Sequence, residues 1–310
     1  MSPAPSSVSV VIPVRDRADY LAQAVESLIA TGYPGLEIVI VDDGSRDDTL
    51  ARARELEDRF PRLIRVLQHS DHGNHGPGVS RNLGVRESSG RYVGFLDSDD
   101  VVLPNRFDAA VSILDGDPAV DGVAEGFEVQ EREGEPAEDG TGESILSKLG
   151  PVPVRWHVDT ILLRRERFLQ AGGFSEELRT CEDLVLWAKL LLSARIVGGG
   201  TEPVALYRRH EGNTELVLQN TLLACLEVMR WTRGRAVDPR KVAVLREVTW
   251  GKTLFVCDRL ARHPPAQAAG PGGGRQCRQL LQESRRVART RRATALDRLG
   301  NISAAVVGYG

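Results

Sequence analysis

Two stretches decide the fold: residues 36–45, LEIVIVDDGS, and residues 91–100, RYVGFLDSDD. Each opens with a short apolar run rich in β-branched or aromatic side chains, the composition of a strand buried on both faces of a parallel sheet. Each ends abruptly in acids, Asp42-Asp43-Gly44-Ser45 in one and Asp97-Ser98-Asp99-Asp100 in the other. A similar run, Val8 to Pro13 (VSVVIP), precedes them, and Ile64 to Leu67 falls between them. Helical patterns fill the intervals. Asp16 to Ala30 aligns Tyr20, Leu21, Ala24, Val25, Leu28 and Ile29 on one face and is stopped by Gly32 and Pro34. A second helix is expected from about Asp48 to Phe60, with carboxylates in its first turn, and a third around Val79 to Glu87. This β-α-β-α alternation predicts an α/β fold of Rossmann-like type, a mostly parallel sheet flanked by helices. Ligands bind such sheets at the carboxyl ends of the strands. Both acidic clusters are therefore expected on one edge.

Farther along, Glu131 to Glu143 (EREGEPAEDGTGE) is acidic, Gly-rich and aperiodic, and reads as an exposed loop. Trp156 to Leu163 returns to a strand-like pattern, and Glu182 to Ala194 reads as an amphipathic helix. Helical patterns dominate thereafter: about Glu215 to Arg233, Arg240 to Arg262 and Arg275 to Leu299, with a Pro/Gly-rich linker at 263–274. The expected organisation is an unstructured terminus at 1–7, a catalytic-type domain at 8–214 with halves at 8–100 and 101–214, and a helical C-terminal extension at 215–310.

The bulk numbers narrow the function classes. With 310 residues and 41% hydrophobic composition the chain can bury a substantial core. A net charge of −3 requires no polyanionic partner, so no nucleic acid is expected. The four cysteines form no C-x-x-C pair and read as thiols of a reducing compartment. Met1 to Ser7 lacks the basic and apolar regions of a signal peptide. No apolar run approaches the roughly 20 residues of a membrane span. The expected location is the cytoplasm. Arg275 to Arg298 carries eight Arg against two acids, interleaved with leucines. Such a helix could touch the inner face of an anionic membrane, hold a phosphorylated acceptor, or join two copies as a homodimer. The preferred reading is plainer, a solvated helix packing one apolar stripe on the core.

Four groups of residues could carry chemistry. Asp97-Ser98-Asp99 can hold a divalent cation through oxygen ligands, and such a cation can bridge a diphosphate; an Asp-rich turn capping the next helix is the alternative. At Asp42-Asp43-Gly44-Ser45 a carboxylate can accept from a nucleobase N–H or a ribose hydroxyl, while an Asx turn with an N-cap explains the same residues equally well. Glu182-Asp183 opens a helix, where a carboxylate is stabilised by the dipole and is also placed to act as a general base. Tyr207-Arg208-Arg209-His210 closes the set, offering a nitrogen to a Mn-type site and arginines to phosphate.

In this order VSVVIP, IVIVDDGS, GVSRNLGV, GFLDSDD, CEDLVLW and YRRHEGNT resemble glycosyltransferase family 2, across roughly Val8 to Thr214. The resemblance implies a GT-A fold and an inverting, metal-dependent transferase using Mn2+ or Mg2+ and a nucleotide-diphosphate sugar donor. The acceptor stays open among a saccharide, a lipid-linked sugar, a protein and a natural product. By the same resemblance Asp183 is the catalytic base, Asp99 the main metal ligand and His210 a further one. Pro13, Asp43, Arg81, Asn82, Asp97 and Ser98 fall on the nucleotide side, and Arg15, Asp42, Glu182 and Trp187 are further candidates. The family's P-x-Y-N after the first strand is here Pro13-Val14-Arg15-Asp16, which alters the surroundings of the base. A rival is a phosphohydrolase of the haloacid dehalogenase type, with Asp97 of the Asp97-Ser98-Asp99-Asp100-Val101 run as nucleophile. Its motif normally opens the domain, whereas three strands precede it here.

Overall fold

The computed structural model describes residues 6–130, 157–208, 224 and 227–244. The chain divides into two compact units, one ending at Thr214 and one beginning at Glu215. The first unit runs β1 (Val8–Val14), α1 (Ala18–Ala30), β2 (Leu36–Asp42), α2 (Thr49–Arg59), β3 (Ile64–Gln68), α3 (Pro77–Glu87), β4 (Tyr92–Phe95), β5 (Val101–Val102), α4 (Asp108–Gly116) and β6 (Gly122–Gln130). A 3-10 turn, Val158–Thr160, then leads into β7 (Ile161–Arg164), α5 (Arg165–Ala171), α6 (Glu182–Ser193) and β8 (Ile196–Arg208).

The strands join in one sheet of order β3-β2-β1-β4-β7-β6-β8-β5. β1 to β4 are mutually parallel, as their alternation with helices predicts. Beyond β4 the sheet is mixed: β7 lies antiparallel between β4 and β6, β8 is parallel to β6, and β5 is antiparallel to β8. Every residue of β1 is buried, as a strand covered on both faces must be. On one face Leu21, Ala24, Val25 and Leu28 of α1 pack on Val10, Ile12, Ile38 and Ile40. α1 starts at Ala18 instead of Asp16, because Asp16 takes a φ of 52°, outside the right-handed helical region. The strand expected from Trp156 begins only at Ile161, because Val158–Thr160 winds into the 3-10 turn.

A buried ion pair, Arg106 to Glu125 at 3.1 Å, lies within this unit, and Arg106 also donates to the Ile161 carbonyl at 2.9 Å. Burial pushes the Glu125 carboxyl up to about 7 against the opposing pull of Arg106. In the second unit residues 227–231 and 239–244 are helical. The later helix is capped by Asp238, which accepts from the Arg240 amide at 2.8 Å, with Pro239 next in line. Among the described residues no helix is long and apolar enough to cross a membrane.

Candidate functional site

Because β1, β2 and β4 are parallel and in register, Val14, Asp42 and Phe95 end on the same edge, and the acids that follow them gather there. The loops after β1 and β2 are stitched together. Asp16 accepts from the Arg46 amide at 2.7 Å, and its own amide donates to Ser45 Oγ at 3.1 Å. Its left-handed backbone is one that a short polar side chain tolerates. Gly44 also has positive φ, 73°, and a Cβ there would meet His72 and Gly73 backbone at 2.9 Å. Pro13 is buried, and the Arg15 head lies 3.6 Å from Asp16. Asp43 accepts from the amides of His75 and Gly76 at 2.7 and 2.9 Å, so it anchors the 69–78 loop ahead of α3. Asp42 has longer contacts, 3.4 Å from the Ser45 amide and 3.5 Å from Gln68 Nε2.

The Asp97–Asp100 turn is wired differently. Arg81 of α3 donates to Asp97 at 2.5 Å and to Glu182 at 2.7 Å, with its guanidinium over the Phe174 ring. It thus ties the D-x-D turn to the start of α6. Burial works against the Arg81 cation, but Asp97 and Glu182 outweigh it and hold the group charged. Burial pushes the Asp97 and Glu182 carboxyls up, and Arg81 opposes the shift in both. Ser98 between the acids is buried. Asn82, one residue on, faces elsewhere: its side chain brackets Phe174, accepting from the amide at 2.9 Å and donating to the carbonyl at 3.1 Å. Asp99 stands 3.6 Å from the Arg17 guanidinium. Arg208 grips the same turn from β8, its amide donating to Asp100 at 2.7 Å and its guanidinium to the Asp99 carbonyl.

Two residues that the sequence reading did not select complete the cluster. Asp159, fully buried in the 3-10 turn, accepts from the Asp97 amide at 2.8 Å and lies 3.1 Å from His157 Nδ1. His157 packs against the Phe127 and Tyr207 rings, each 5.0 Å away. Ligand atoms of Asp97, Asp100 and His157 all fall within 4.8 Å of one another. Burial, reinforced by Asp159, pushes the Asp100 carboxyl up to about 11. As a carboxylate, Asp100 Oδ2 faces no hydrogen-bond donor among the described residues. A proton shared with Asp159 or a cation must fill that gap. Two carboxylates and an imidazole suit a Mn-type ion, and a carboxylate behind the imidazole is the usual support for such a ligand. The sequence signal was there: His-x-Asp immediately before a buried apolar run.

Asp183 opens α6 and accepts from the Leu184 amide at 2.7 Å. Burial works against the His157 imidazolium, while Asp159 above all, then Asp97 and Asp183, favour it. Trp187, one turn on, belongs to the core, its ring 6.1 Å from Phe174. His210, the 131–143 loop, the 263–274 linker and the basic stretch 275–298 lie outside the described residues.

The sequence profile of Glycosyl transferase family 2 matches residues 9–174. Succinoglycan biosynthesis protein ExoO of Rhizobium meliloti is 32% identical over 231 residues, 68% of this chain and 63% of that protein. An uncharacterized glycosyltransferase of Rickettsia bellii is 26% identical over 221 residues, and the chain spans only 30% of its length. Among solved structures, TarS of S. aureus in complex with UDP-GlcNAc superposes with a TM-score of 0.68 at 19% identity, covering 97% of this chain and 92% of that one. Mannosyltransferase PcManGT of Pyrobaculum calidifontis, in complex with GDP-Man and Mn2+, gives 0.62 at 20% identity, covering 97% and 86%. These two likenesses establish the fold, an α/β sheet of GT-A type.

Proposed function

The chain belongs to glycosyl transferase family 2, and on that premise we propose that it moves a sugar, with inversion, from a nucleotide-diphosphate donor to an acceptor hydroxyl, with a divalent metal. One observation carries the reading: the D-x-D turn, the Arg81 bridge and the opening of α6 meet at one sheet edge. Donors of this class in the TarS and PcManGT structures support it, as does the Mn2+ in the latter. The name of the Rhizobium relative, a succinoglycan biosynthesis protein, favours a saccharide acceptor, free or lipid-linked, over a natural product.

The Asp42–Ser45 turn and Pro13 border the base and ribose. Asp97, Ser98 and Arg81 lie toward the ribose and donor sugar, and Asp99 toward the diphosphate. A bound Mn2+ or Mg2+ would supply charge neutralisation for the departing diphosphate. Asp183 takes the proton of the acceptor hydroxyl as its oxygen attacks the anomeric carbon from the face opposite the leaving group. Arg81 holds Glu182 and Asp97 at fixed separation, so base and donor keep their mutual placement. Asp99, with His210, is the metal-binding set that the family implies. A second set, Asp97, Asp100 and His157, is favoured by the unfilled Asp100 oxygen and the convergence of the three groups. The phosphohydrolase alternative finds no support, since the family profile runs through its would-be nucleophile, Asp97.

The test is a thermal-shift panel of UDP, GDP, TDP, CDP and ADP, each with and without Mn2+, on the wild type, Asp99→Ala and His157→Ala. A ligand that binds only the folded state raises apparent stability. The expected outcome is stabilisation by one nucleotide only with Mn2+. Its loss in Asp99→Ala alone selects the first ligand set, and its loss in His157→Ala alone selects the second. No shift with any nucleotide overturns the transferase reading. Peripheral membrane contact at the inner face and a homodimer are proposals for the 275–298 stretch. Liposome pelleting and sizing, with and without the residues after Gly274, test them.

A further inference from the structure

Arg17 sits at the mouth of the site, and no motif accounts for it. Its guanidinium is 3.6 Å from Asp99 Oδ2, and both side chains are about one-fifth exposed, 25% and 18%. Its backbone is fixed: the Arg17 amide donates to Thr49 Oγ1 at 2.8 Å, just ahead of α1. The side chain lies along Tyr20, 5.7 Å from ring centroid to guanidinium carbon, and Arg208 covers the same ring at 5.0 Å. Arg208 is committed to the turn through Asp100 and the Asp99 carbonyl. Arg17 stands 3.6 Å from the Asp99 carboxylate, and its long stem lets the head move while the amide stays anchored. Asp99 therefore carries a protein-borne cation at the place where a metal and a diphosphate are proposed to meet.

We propose that Arg17 is an exchangeable counter-ion: it neutralises Asp99 in the empty site and transfers to the donor diphosphate when metal and nucleotide arrive. This rests on the transferase reading given above. Guanidinium and metal compete for the same carboxylate, so Arg17 weakens binding of the metal alone. Guanidinium and diphosphate attract, so Arg17 strengthens binding of the nucleotide. The device favours entry of metal and nucleotide together. A residue that only braced the loop would weaken both when removed.

The test measures free Mn2+ by electron paramagnetic resonance, and UDP and GDP by calorimetry, on wild type, Arg17→Met and Arg17→Lys, with circular dichroism confirming the fold. Arg17→Met is expected to bind Mn2+ alone more tightly and the Mn2+-saturated nucleotide more weakly, each by roughly two- to fivefold, the range of a partly exposed ion pair. Arg17→Lys is expected to lie between the two. Unchanged or weaker Mn2+ binding in folded Arg17→Met overturns the counter-ion role while the transferase reading stands. A wild type that binds no nucleoside diphosphate in the presence of metal overturns both.

Discussion

The two acidic strand ends share an edge and a composition, yet they are satisfied in opposite ways. After β2, Asp43 lies against backbone: the amides of His75 and Gly76 point at its two oxygens. After β4, Asp97 and Asp100 stand with Asp159 around one buried guanidinium and one imidazole. Backbone amides solvate a carboxylate as well as water does and need no further partner. Crowded buried carboxylates are another matter, because each opposes ionisation of the others and the cluster attracts protons or cations. The first end is built to hold a loop. The second is built to attract a proton or a cation.

That contrast can be broken or sharpened by substitution. The largest effect is expected from Asp183→Asn, which should lower sugar transfer by about 10²- to 10⁴-fold, the usual worth of a general base, with metal-dependent nucleotide binding unchanged. Near-normal turnover would remove Asp183 from the mechanism and leave the crowded turn without a base beside it. Next, Arg81→Met strips the counter-charge from Asp97 and Glu182. Urea unfolding should show a loss of about 3–5 kcal/mol, the cost of breaking a buried pair from one side. A loss under about 1 kcal/mol would mean that the acids are less crowded than the bridge suggests.

Glu125 supplies a buried carboxylate paired with one cation, Arg106, for comparison with the crowded turn. Between pH 4.5 and about 7 its folded carboxyl holds a proton that the unfolded one has lost. Stability from this group therefore declines as pH rises through that window, by at most about 1.4 kcal/mol per pH unit. Glu125→Gln should flatten that part of the stability profile, and an identical slope in the variant would show that the titration belongs elsewhere. The smallest expected change is Asp43→Asn, which keeps one acceptor and turns an amide toward a backbone N–H. A stability loss of about 1–2 kcal/mol by thermal unfolding would match a lost loop anchor. A purely nucleotide-binding role would leave the melting of the ligand-free protein unchanged.

Much of this edge was legible in the chain itself. Apolar runs ending in acids, spaced by amphipathic helices, are enough to predict four parallel strands, and parallel strands put their ends together. Other assignments needed the fold. Asn82 follows Arg81 in a family motif, yet it brackets Phe174 while Arg81 reaches the turn, because successive residues on a helix point in different directions. Trp187 reads as a site candidate at the end of the CEDLVLW stretch, but one helical turn carries it into the core beside Phe174. His157 and Asp159 form no motif with the D-x-D turn in one dimension. β7 brings them there by pairing antiparallel with β4.

By itself, then, the sequence determined the parallel half of the sheet, its edge and the carboxylates on it, because strand and helix periodicities are local and the topology of alternating elements leaves few choices. Only the tertiary structure decided how those carboxylates are satisfied. Arg81 meets an acid 16 residues away and another 101 residues away. Arg17 meets Asp99 across the ends of two neighbouring strands, and the amides that hold Asp43 come from a loop more than 30 residues on. Charge balance in a buried site is a sum over neighbours in space, and those neighbours are set by packing between elements.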